Sequence, residues 1–250
     1  MKRKAFLLLS SIFLGFHIHA QDGATIKTKR IKIGIGYAPS LTYRVLRYSD
    51  QQHFLENERN DSEIPKYGQS LSLLAQKEIF KKNYLELGLS FSDAGYRTRK
   101  TDLNWASSMG SLPNAVRTKI SYRHIGLYAR YKYEVFGNKI KFYFGAGLSF
   151  EALMQRKTTV IEYKADRVVR KSNSKVRAGY SEIHFSPLLL IGTKLKISEK
   201  FMVCLEPAYK AGLVSIAPGY ANREFLYSLG MNTILLYTFG KNPSQKRKSR

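Results

Sequence analysis

The sequence predicts an all-β protein: an eight-stranded antiparallel up-and-down transmembrane β-barrel, preceded by a cleaved signal peptide. Three observations predict this fold. Apolar and polar residues alternate with a period of two in eight segments, which is the pattern of strands with two different faces. The connections between these segments alternate between short and long. Beyond the N-terminal region the longest apolar run is 187–192, far below the roughly 18–20 residues of a spanning helix.

The N-terminal region has the layout of a secretory signal peptide. Basic residues at 2–4 precede an apolar stretch at 5–16 and a short segment that ends at Ala20. The apolar stretch is shorter than a bilayer-spanning helix, which disfavours the alternative of a membrane anchor. The predicted organisation is therefore a signal peptide at 1–20, an outer-membrane barrel at 21–240 and a basic periplasmic tail at 241–250.

Each predicted strand has one apolar face. The strands are expected at about 31–46, 67–80, 84–98, 118–135, 139–154, 178–197, 201–214 and 224–240. In the first four, the apolar faces include Ile31, Ile33 and Ile35; Leu71, Leu73 and Ala75; Leu85, Leu87 and Leu89; and Ile125, Leu127 and Tyr131. In the last four they include Ile140, Phe142 and Phe144; Ile183, Phe185 and Leu189; Phe201, Val203 and Leu205; and Phe225, Tyr227 and Leu229. Aromatic and β-branched residues at this spacing favour strands.

The lengths of the connections predict the topology. Short connections lie at 81–83, 136–138 and 198–200, and the second of them contains a Gly-Asn turn signal. The long polar connections lie at 47–66, 99–117, 155–177 and 215–222. Short connections at one end and long ones at the other are typical of an up-and-down barrel. We expect both termini at the short-turn end, in the periplasm.

The size of the apolar side chains predicts which face is outside. A soluble lipocalin-like barrel with its apolar face inward is the alternative. The apolar faces here are crowded with Phe, Tyr, Leu and Ile, whereas the opposite faces alternate Gly and Ser with charged residues. Because the interior of an eight-stranded barrel is barely wide enough for its own side chains, we predict that the bulky faces contact lipid.

The charge and cysteine content narrow the partners. The formal net charge is +24 and the pI is near 10.0, which indicates an anionic neighbour such as nucleic acid, a membrane surface or lipopolysaccharide phosphates. Export disfavours nucleic acid. Cys204 is the only cysteine, so no internal disulfide forms. The predicted partners are outer-membrane lipid and lipopolysaccharide.

The pattern as a whole resembles a known family. A signal that ends in Ala20-Gln21, a mature region of this size, eight such strands and the terminal segment "LLYTF" at 235–239 are similar to the outer-membrane β-barrel proteins of Bacteroidetes, and within them to the PorT-like group. The resemblance implies a Gram-negative outer-membrane protein, with a part in type IX protein secretion and contacts to secretion-machinery proteins. A structural or adhesion-type barrel is the alternative function.

Charged residues on the inward faces predict a polar network in the lumen. Its members are Glu86, Arg130, Glu151, Glu182, His184, Glu206 and Lys210. Opposite charges occur at each level, and in a confined interior they are expected to neutralise one another because an unpaired buried charge is costly. We predict a structural role for this network; a narrow ion path is the alternative.

The sequence predicts no enzyme, cofactor or metal site. His184 and Ser186 are similar to the His-x-Ser pair of outer-membrane lipid A deacylases, which act with a Glu, and Glu182 lies on the same face. The alternation directs the pair into the lumen, away from acyl chains. A lipid-modifying enzyme is therefore the less favoured alternative, and no spacing of His, Cys and carboxylates is typical of metal binding.

One connection is rich in basic residues. The segment 155–177 contains a candidate anion-binding set: Arg156, Lys157, Arg167, Arg170, Lys171 and Lys175. If this segment faces outward, it is expected to pair with lipopolysaccharide phosphates. A solvated hairpin is the alternative.

Overall fold

The computed structural model describes residues 31–47, 53–105, 112–137, 139–176, 181–216 and 223–239. The predicted signal peptide at 1–20 and the basic tail at 241–250 lie outside these ranges. Within them, no helix combines the length and the hydropathy needed to cross a bilayer.

Most of the described chain is β-strand. The strands are β1 (Ile31–Arg47), β2 (Glu63–Phe80), β3 (Asn83–Thr98), β4 (Thr101–Asp102), β5 (Ala115–Phe136), β6 (Ile140–Lys164), β7 (Arg167–Val176), β8 (Ile183–Lys196), β9 (Phe201–Ala211) and β10 (Arg223–Thr238). One helix, α1 (His53–Ser62), lies between β1 and β2. Eight of these strands coincide with the predicted ones to within a few residues at most ends; β2 starts earlier, β6 runs further and β8 begins later.

Eight strands close into a ring. β1 pairs with β2 and with β10, so that Ile33 lies opposite both Ala75 and Tyr237. The order around the ring is β1, β2, β3, β5, β6, β8, β9 and β10, and each pairing is antiparallel. Closure leaves no free edge in the ring, so backbone N–H and C=O groups pair between strands. The predicted eight-stranded antiparallel barrel is confirmed.

The two ends of the barrel differ. Tight turns join β2 to β3, β5 to β6 and β8 to β9 at one end, called here the short-turn end. Ile31 and Phe239 also lie there, since the Phe239 N–H donates to the Ile31 carbonyl at 3.2 Å. The opposite end, called the long-connection end, carries α1, β4 and β7. There the sheet continues past the ring, because β6 has 25 residues.

The prediction of a polar connection at 155–177 is wrong for most of that segment. β6 continues through it to Lys164 and pairs with β7, and only residues 165–166 form the turn. Ala165 and Asp166 have φ values of 47° and 63°, as a type I′ hairpin turn requires. The Thr, Val and Ile residues at 158–161 favour strand, but the surrounding charges hide this signal.

A belt of exposed apolar side chains surrounds the ring. Ile35, Leu127 and Ile191 are 62%, 60% and 64% exposed, whereas the lumen residues Glu86 and Glu206 are fully buried. An apolar belt of this extent is unfavourable in water and is the lipid-facing surface of a transmembrane barrel. The predicted direction of the faces is confirmed.

Aromatic pairs border this belt at both ends. Tyr133 and Phe144 at the short-turn end have ring centroids 5.4 Å apart, and Phe201 and Tyr237 are 5.2 Å apart. At the other border the ring centroids of Phe150 on β6 and Phe185 on β8 are 4.9 Å apart. Such girdles mark the two interfaces of a bilayer.

Candidate functional site

The centre of the lumen holds a cluster of four charged side chains. Glu86 projects from β3, Arg130 and Lys132 from β5, and Glu206 from β9 across the barrel. Lys132 Nζ donates to Glu86 Oε2 at 2.6 Å and also to Glu206 Oε1, while Arg130 Nη1 lies 3.3 Å from Glu86 Oε1 and 3.4 Å from Glu206 Oε2. Two carboxylates therefore balance two cations. We call these four residues the central ion cluster.

Aromatic rings hold the central ion cluster in place. The hydroxyl of Tyr143 donates to Glu206 Oε1 at 2.6 Å, and the Arg130 guanidinium lies 4.1 Å from the ring centroid of Tyr128. Both rings cross the lumen above glycines. A Cβ at Gly88 would lie 2.4 Å from the Tyr128 ring, and one at Gly192 would lie 2.6 Å from the Tyr143 ring. These glycines are needed because only they admit a ring so close to the backbone.

Apolar side chains fill the lumen around this cluster. They are Leu74, Tyr128, Tyr143, Leu188, Leu190, Cys204, Ile234 and Leu236. The prediction that polar side chains fill the barrel therefore holds only in part at this level. Leu188 and Leu190 lie within an unbroken apolar run, as do Ile234 and Leu236, so alternation in the sequence does not separate their two faces.

A second ionic group lies nearer the short-turn end. Lys141 Nζ donates to Glu134 at 2.6 Å, and Lys194 Nζ lies 3.8 Å from the same carboxylate. The Tyr84 hydroxyl donates to Glu134 at 3.2 Å, and Lys194 lies 3.9 Å from the Tyr84 ring centroid. The lumen is thus occupied by paired charges on this side as well.

A small polar chamber lies on the other side of the central ion cluster. Serine side chains from several strands line a cavity of about 80 Å³. Lys210 Nζ donates to both oxygens of Glu151 at 2.8–2.9 Å, and Ser92 Oγ donates to Glu151 at 3.3 Å. The rings of His124 and His184 meet edge to face beside it, with centroids 4.9 Å apart. The chamber has room for several water molecules.

A second apolar layer covers this chamber at the long-connection end. Its buried members are Tyr96, Ile120, Tyr122, Leu153 and Ile216. Arg44 lies over the ring of Tyr96, at 3.9 Å from the ring centroid, and its guanidinium pairs with Glu63 and Glu224. Two packed layers and four ionic groups therefore cross the lumen between the ends of the described barrel.

The structure brings most of the predicted lumen residues together. Glu86, Arg130 and Glu206 meet in the central ion cluster, and Glu151, His184 and Lys210 meet in the polar chamber. The prediction is wrong for Glu182, which is exposed and lies just before β8, since that strand begins at Ile183 and not at about 178. Sequence reasoning missed Arg44, although the alternation of β1 places it on the inward face.

The His184–Ser186 pair forms no catalytic relay within the described ranges. Both side chains are buried in the lumen, and His184 Nε2 has no hydrogen-bond partner there. Glu151 lies opposite His184 on β6, but this carboxylate is held by Lys210. Nor do any three His, Cys, Asp or Glu residues in the described segments cluster as metal ligands.

The six predicted anion-binding residues divide between two faces of the β6–β7 hairpin. Lys157 pairs with Lys175, and Ile161 with Lys171, on one face. Glu162 pairs with Arg170 on the other. The latter face also carries Arg156, opposite the inward Tyr122, and Arg167, opposite Lys164.

The turn of this hairpin is anchored to the connection between β3 and β4. Lys100 donates to the carboxylate of Asp166, and this contact lowers the pKa of Asp166. All described side chains of β7 are exposed, and β7 is the last strand in its sheet, with a free edge within the described residues.

Comparison with known proteins identifies one matching family and several similar solved structures. A profile described as Outer membrane protein beta-barrel domain matches residues 19–216. The chain is similar to Neisserial surface protein A, with 15% identity, a TM-score of 0.39 and coverage of 82% of this chain and 95% of that one. It is also similar to OprG from Pseudomonas aeruginosa, with 11% identity, a TM-score of 0.43 and coverage of 85% and 97%. No curated protein sequence matches significantly.

Proposed function

The chain belongs to the family of outer membrane protein β-barrel domains, and from this premise we propose that it is a non-enzymatic outer-membrane protein that acts through its surfaces. The observation that carries the proposal is the filled lumen. The central ion cluster and the two apolar layers occupy the space through which a solute would pass. Opening this path requires separating buried charges, which costs several kcal/mol per broken pair.

The proposal includes an orientation. The short turns and both termini face the periplasm, and the long-connection end faces outward, as the longer outer loops of bacterial barrels do. Cysteine labelling of intact cells with a membrane-impermeant maleimide tests it. Val168→Cys, on exposed β7, is expected to react, whereas Lys81→Cys, in a short turn, reacts only after the membrane is permeabilised. The reverse pattern refutes the orientation.

The proposed role is that of a component of type IX protein secretion. Its support is the resemblance to the PorT-like group in strand number, size and terminal strand, together with a filled lumen, which favours a partner-binding part over a conduit. Deletion of the gene in its native host is expected to retain type IX cargo inside the cell. Complementation with the full chain restores secretion. Normal cargo secretion in the deletion strain refutes the role.

A second candidate role is an adhesion or structural barrel that binds lipopolysaccharide or a surface partner. The exposed basic residues of the β6–β7 hairpin favour it. In this case the deletion strain secretes its cargo normally but has an altered surface, seen as changed binding to lipopolysaccharide-coated beads. The deletion strain therefore distinguishes the secretion role from the adhesion role when both cargo secretion and binding to lipopolysaccharide-coated beads are measured.

The absence of enzymatic activity is also part of the proposal. His184 and Ser186 lie in the lumen behind packed layers, where a lipid substrate has no access. Lipid A from the wild-type, deletion and His184→Ala strains is expected to give identical mass spectra. A lipid A species that disappears in both mutant strains identifies a lipid-modifying enzyme and refutes this part.

A further inference from the structure

Seven basic side chains share one face of the sheet at the long-connection end. The strand register brings Arg97 of β3 opposite Lys119 of β5, and Lys157 of β6 opposite Lys175 of β7. Directly paired residues, and residues two apart on a strand, lie on the same face. The ladder between β5 and β6 therefore joins both pairs into one surface. This basic face consists of Arg97, Arg117, Lys119, Arg123, Lys157, Lys171 and Lys175.

The basic face lies directly above the lipid-facing belt. On β5 the same alternate positions run from Lys119 and Arg123 into Ile125 and Leu127, which are 48% and 60% exposed. On the neighbouring strand β3, the same face changes from basic to apolar residues at Phe91, which belongs to the belt. The boundary between apolar and basic residues thus runs at one height across adjacent strands, which is where lipid head groups begin.

In the described ranges the basic face carries two acids, Asp93 opposite Arg123 and Asp102 opposite Ala115, against seven basic residues. Asp93 is already bound to the buried Lys66 at 2.5 Å, and Asp102 is an exposed residue of the short strand β4. Glu162 belongs to the other face, opposite Arg170.

Two of its cross-strand pairs are like-charged. Arg97 lies opposite Lys119, and Lys157 lies opposite Lys175; like charges placed directly opposite each other destabilise a sheet. Nε of Arg97 is also buried without a hydrogen-bond partner. A bound polyanion would offset this repulsion and supply acceptors to these donors.

An apolar groove lies in the belt beside the basic face. It has a volume of about 600 Å³ and extends across β10, β1, β2, β3 and β5. Its lining includes Ile35, Leu89, Phe91 and Ile125. Phe91 and Ile125 lie two residues from Asp93 and Arg123 along their strands. The groove is therefore adjacent to the part of the basic face on β3 and β5 and is suited to acyl chains.

We infer that the basic face and this groove form a docking site for a phosphorylated glycolipid of the outer leaflet, the lipid A part of lipopolysaccharide. The phosphates bind the basic face and the acyl chains lie in the groove. The inference rests on the proposed outward orientation and deepens the second candidate role, because it assigns binding to one face of the extended sheet. A soluble polyanion matches the charge but not the adjoining groove, so we commit to the lipid.

The chain offers a matched pair of variants for the test. Lys171→Gln with Lys175→Gln removes two charges from the basic face, and Arg167→Gln with Arg170→Gln removes two from the opposite face of the same strand. Both variants have the same net charge, and all four side chains are exposed. Heat-modifiable migration on gels verifies that each barrel is folded.

The experiment titrates the full-length barrel, in an uncharged maltoside detergent, with diphosphoryl lipid A and with its dephosphorylated form. Native mass spectrometry counts the bound lipid. Wild type is expected to prefer the diphosphoryl form, and K171Q/K175Q to weaken that affinity about tenfold, since each exposed ion pair contributes up to about 1 kcal/mol and 1.4 kcal/mol is tenfold. R167Q/R170Q stays within about twofold of wild type, and added salt weakens wild-type binding.

The outcomes separate this inference from the second candidate role. If both variants weaken the affinity for diphosphoryl lipid A equally, the assignment of binding to the basic face is overturned. The hairpin then attracts anions only through its net charge. Equal binding of the dephosphorylated lipid overturns the role of phosphate. Preference for a soluble acidic polysaccharide over diphosphoryl lipid A overturns the choice of a lipid. No binding by wild type overturns both the inference and the lipopolysaccharide-binding role.

Discussion

Neutralising Glu206 is expected to destabilise the barrel strongly. Glu206 is fully buried and contacts Lys132, Arg130 and the hydroxyl of Tyr143. Glu206→Gln keeps the size of the side chain and an acceptor for Tyr143, but it leaves two buried cations with one carboxylate. Breaking a buried pair in this way costs about 3–5 kcal/mol. We expect the free energy of unfolding to fall by about 3 kcal/mol, since Glu86 still binds both cations.

A double variant isolates the charge effect. Lys132→Gln combined with Glu206→Gln restores a one-to-one balance between Glu86 and Arg130. Its loss of unfolding free energy is expected to be about 2 kcal/mol smaller than the sum of the losses in the two single variants, because contacting charges are coupled. Glu162→Gln, at a solvated position of the hairpin, is the control and is expected to change stability by less than about 0.5 kcal/mol.

The assay is urea-induced unfolding of the full chain in phospholipid vesicles, followed by the fluorescence of the single Trp and by heat-modifiable gel migration. A loss of less than about 1 kcal/mol for Glu206→Gln, well under the usual cost of a broken buried pair, refutes the reasoning. Strict additivity of the two single variants refutes it as well, since Lys132 and Glu206 are then not coupled.

Two further predictions concern the belt and the lumen. Ile191→Lys, near the middle of the belt, is expected to lower the free energy of unfolding in vesicles by about 2–4 kcal/mol. The control Val168→Lys, at a similarly exposed site on β7, is expected to have little effect. Equal losses of stability in the two variants contradict the assignment of the belt to lipid. Gly88→Ala brings a Cβ to 2.4 Å from the buried Tyr128 ring. In the same unfolding assay its free energy of unfolding is therefore expected to fall by about 1–3 kcal/mol. An unchanged free energy of unfolding contradicts the packing of Tyr128 over Gly88.

Much of the fold is readable from local patterns. A strand whose two faces differ in chemistry alternates visibly, and β6 from Ile140 to Phe150 is the clearest case. The turn residues then fix which ends are short, and the bulk of the apolar faces points them outward. These three signals are local, so a single sequence carries them.

The contents of the lumen are only partly readable. Lys132 and Glu206 are 74 residues apart and meet across the barrel, and no local pattern encodes that register. The apolar layer at Leu188 and Leu190 is hidden because both faces of β8 are apolar there. β7 is hidden for the opposite reason: its exposed basic residues are typical of a solvated connection, whereas its pairing depends on the extension of β6.

The basic face was the least predictable feature of the surface. Three of the six predicted anion-binding residues belong to it, and its other members, Arg97, Arg117, Lys119 and Arg123, come from strands far away in the sequence. Only the register of four neighbouring strands brings them together. The sequence predicts a basic segment, and the fold converts part of that segment into one side of a larger surface.

We propose that the lumen is closed and that the protein acts through its surfaces. The most direct test is the electrical conductance of the full-length barrel in a planar lipid bilayer. Wild type is expected to show no stepwise conductance, after insertion has been verified by protease protection in vesicles made from the same lipids. Reproducible conductance steps from wild type would contradict a closed lumen, because ions would then cross the layers formed by the central ion cluster and the apolar side chains around it.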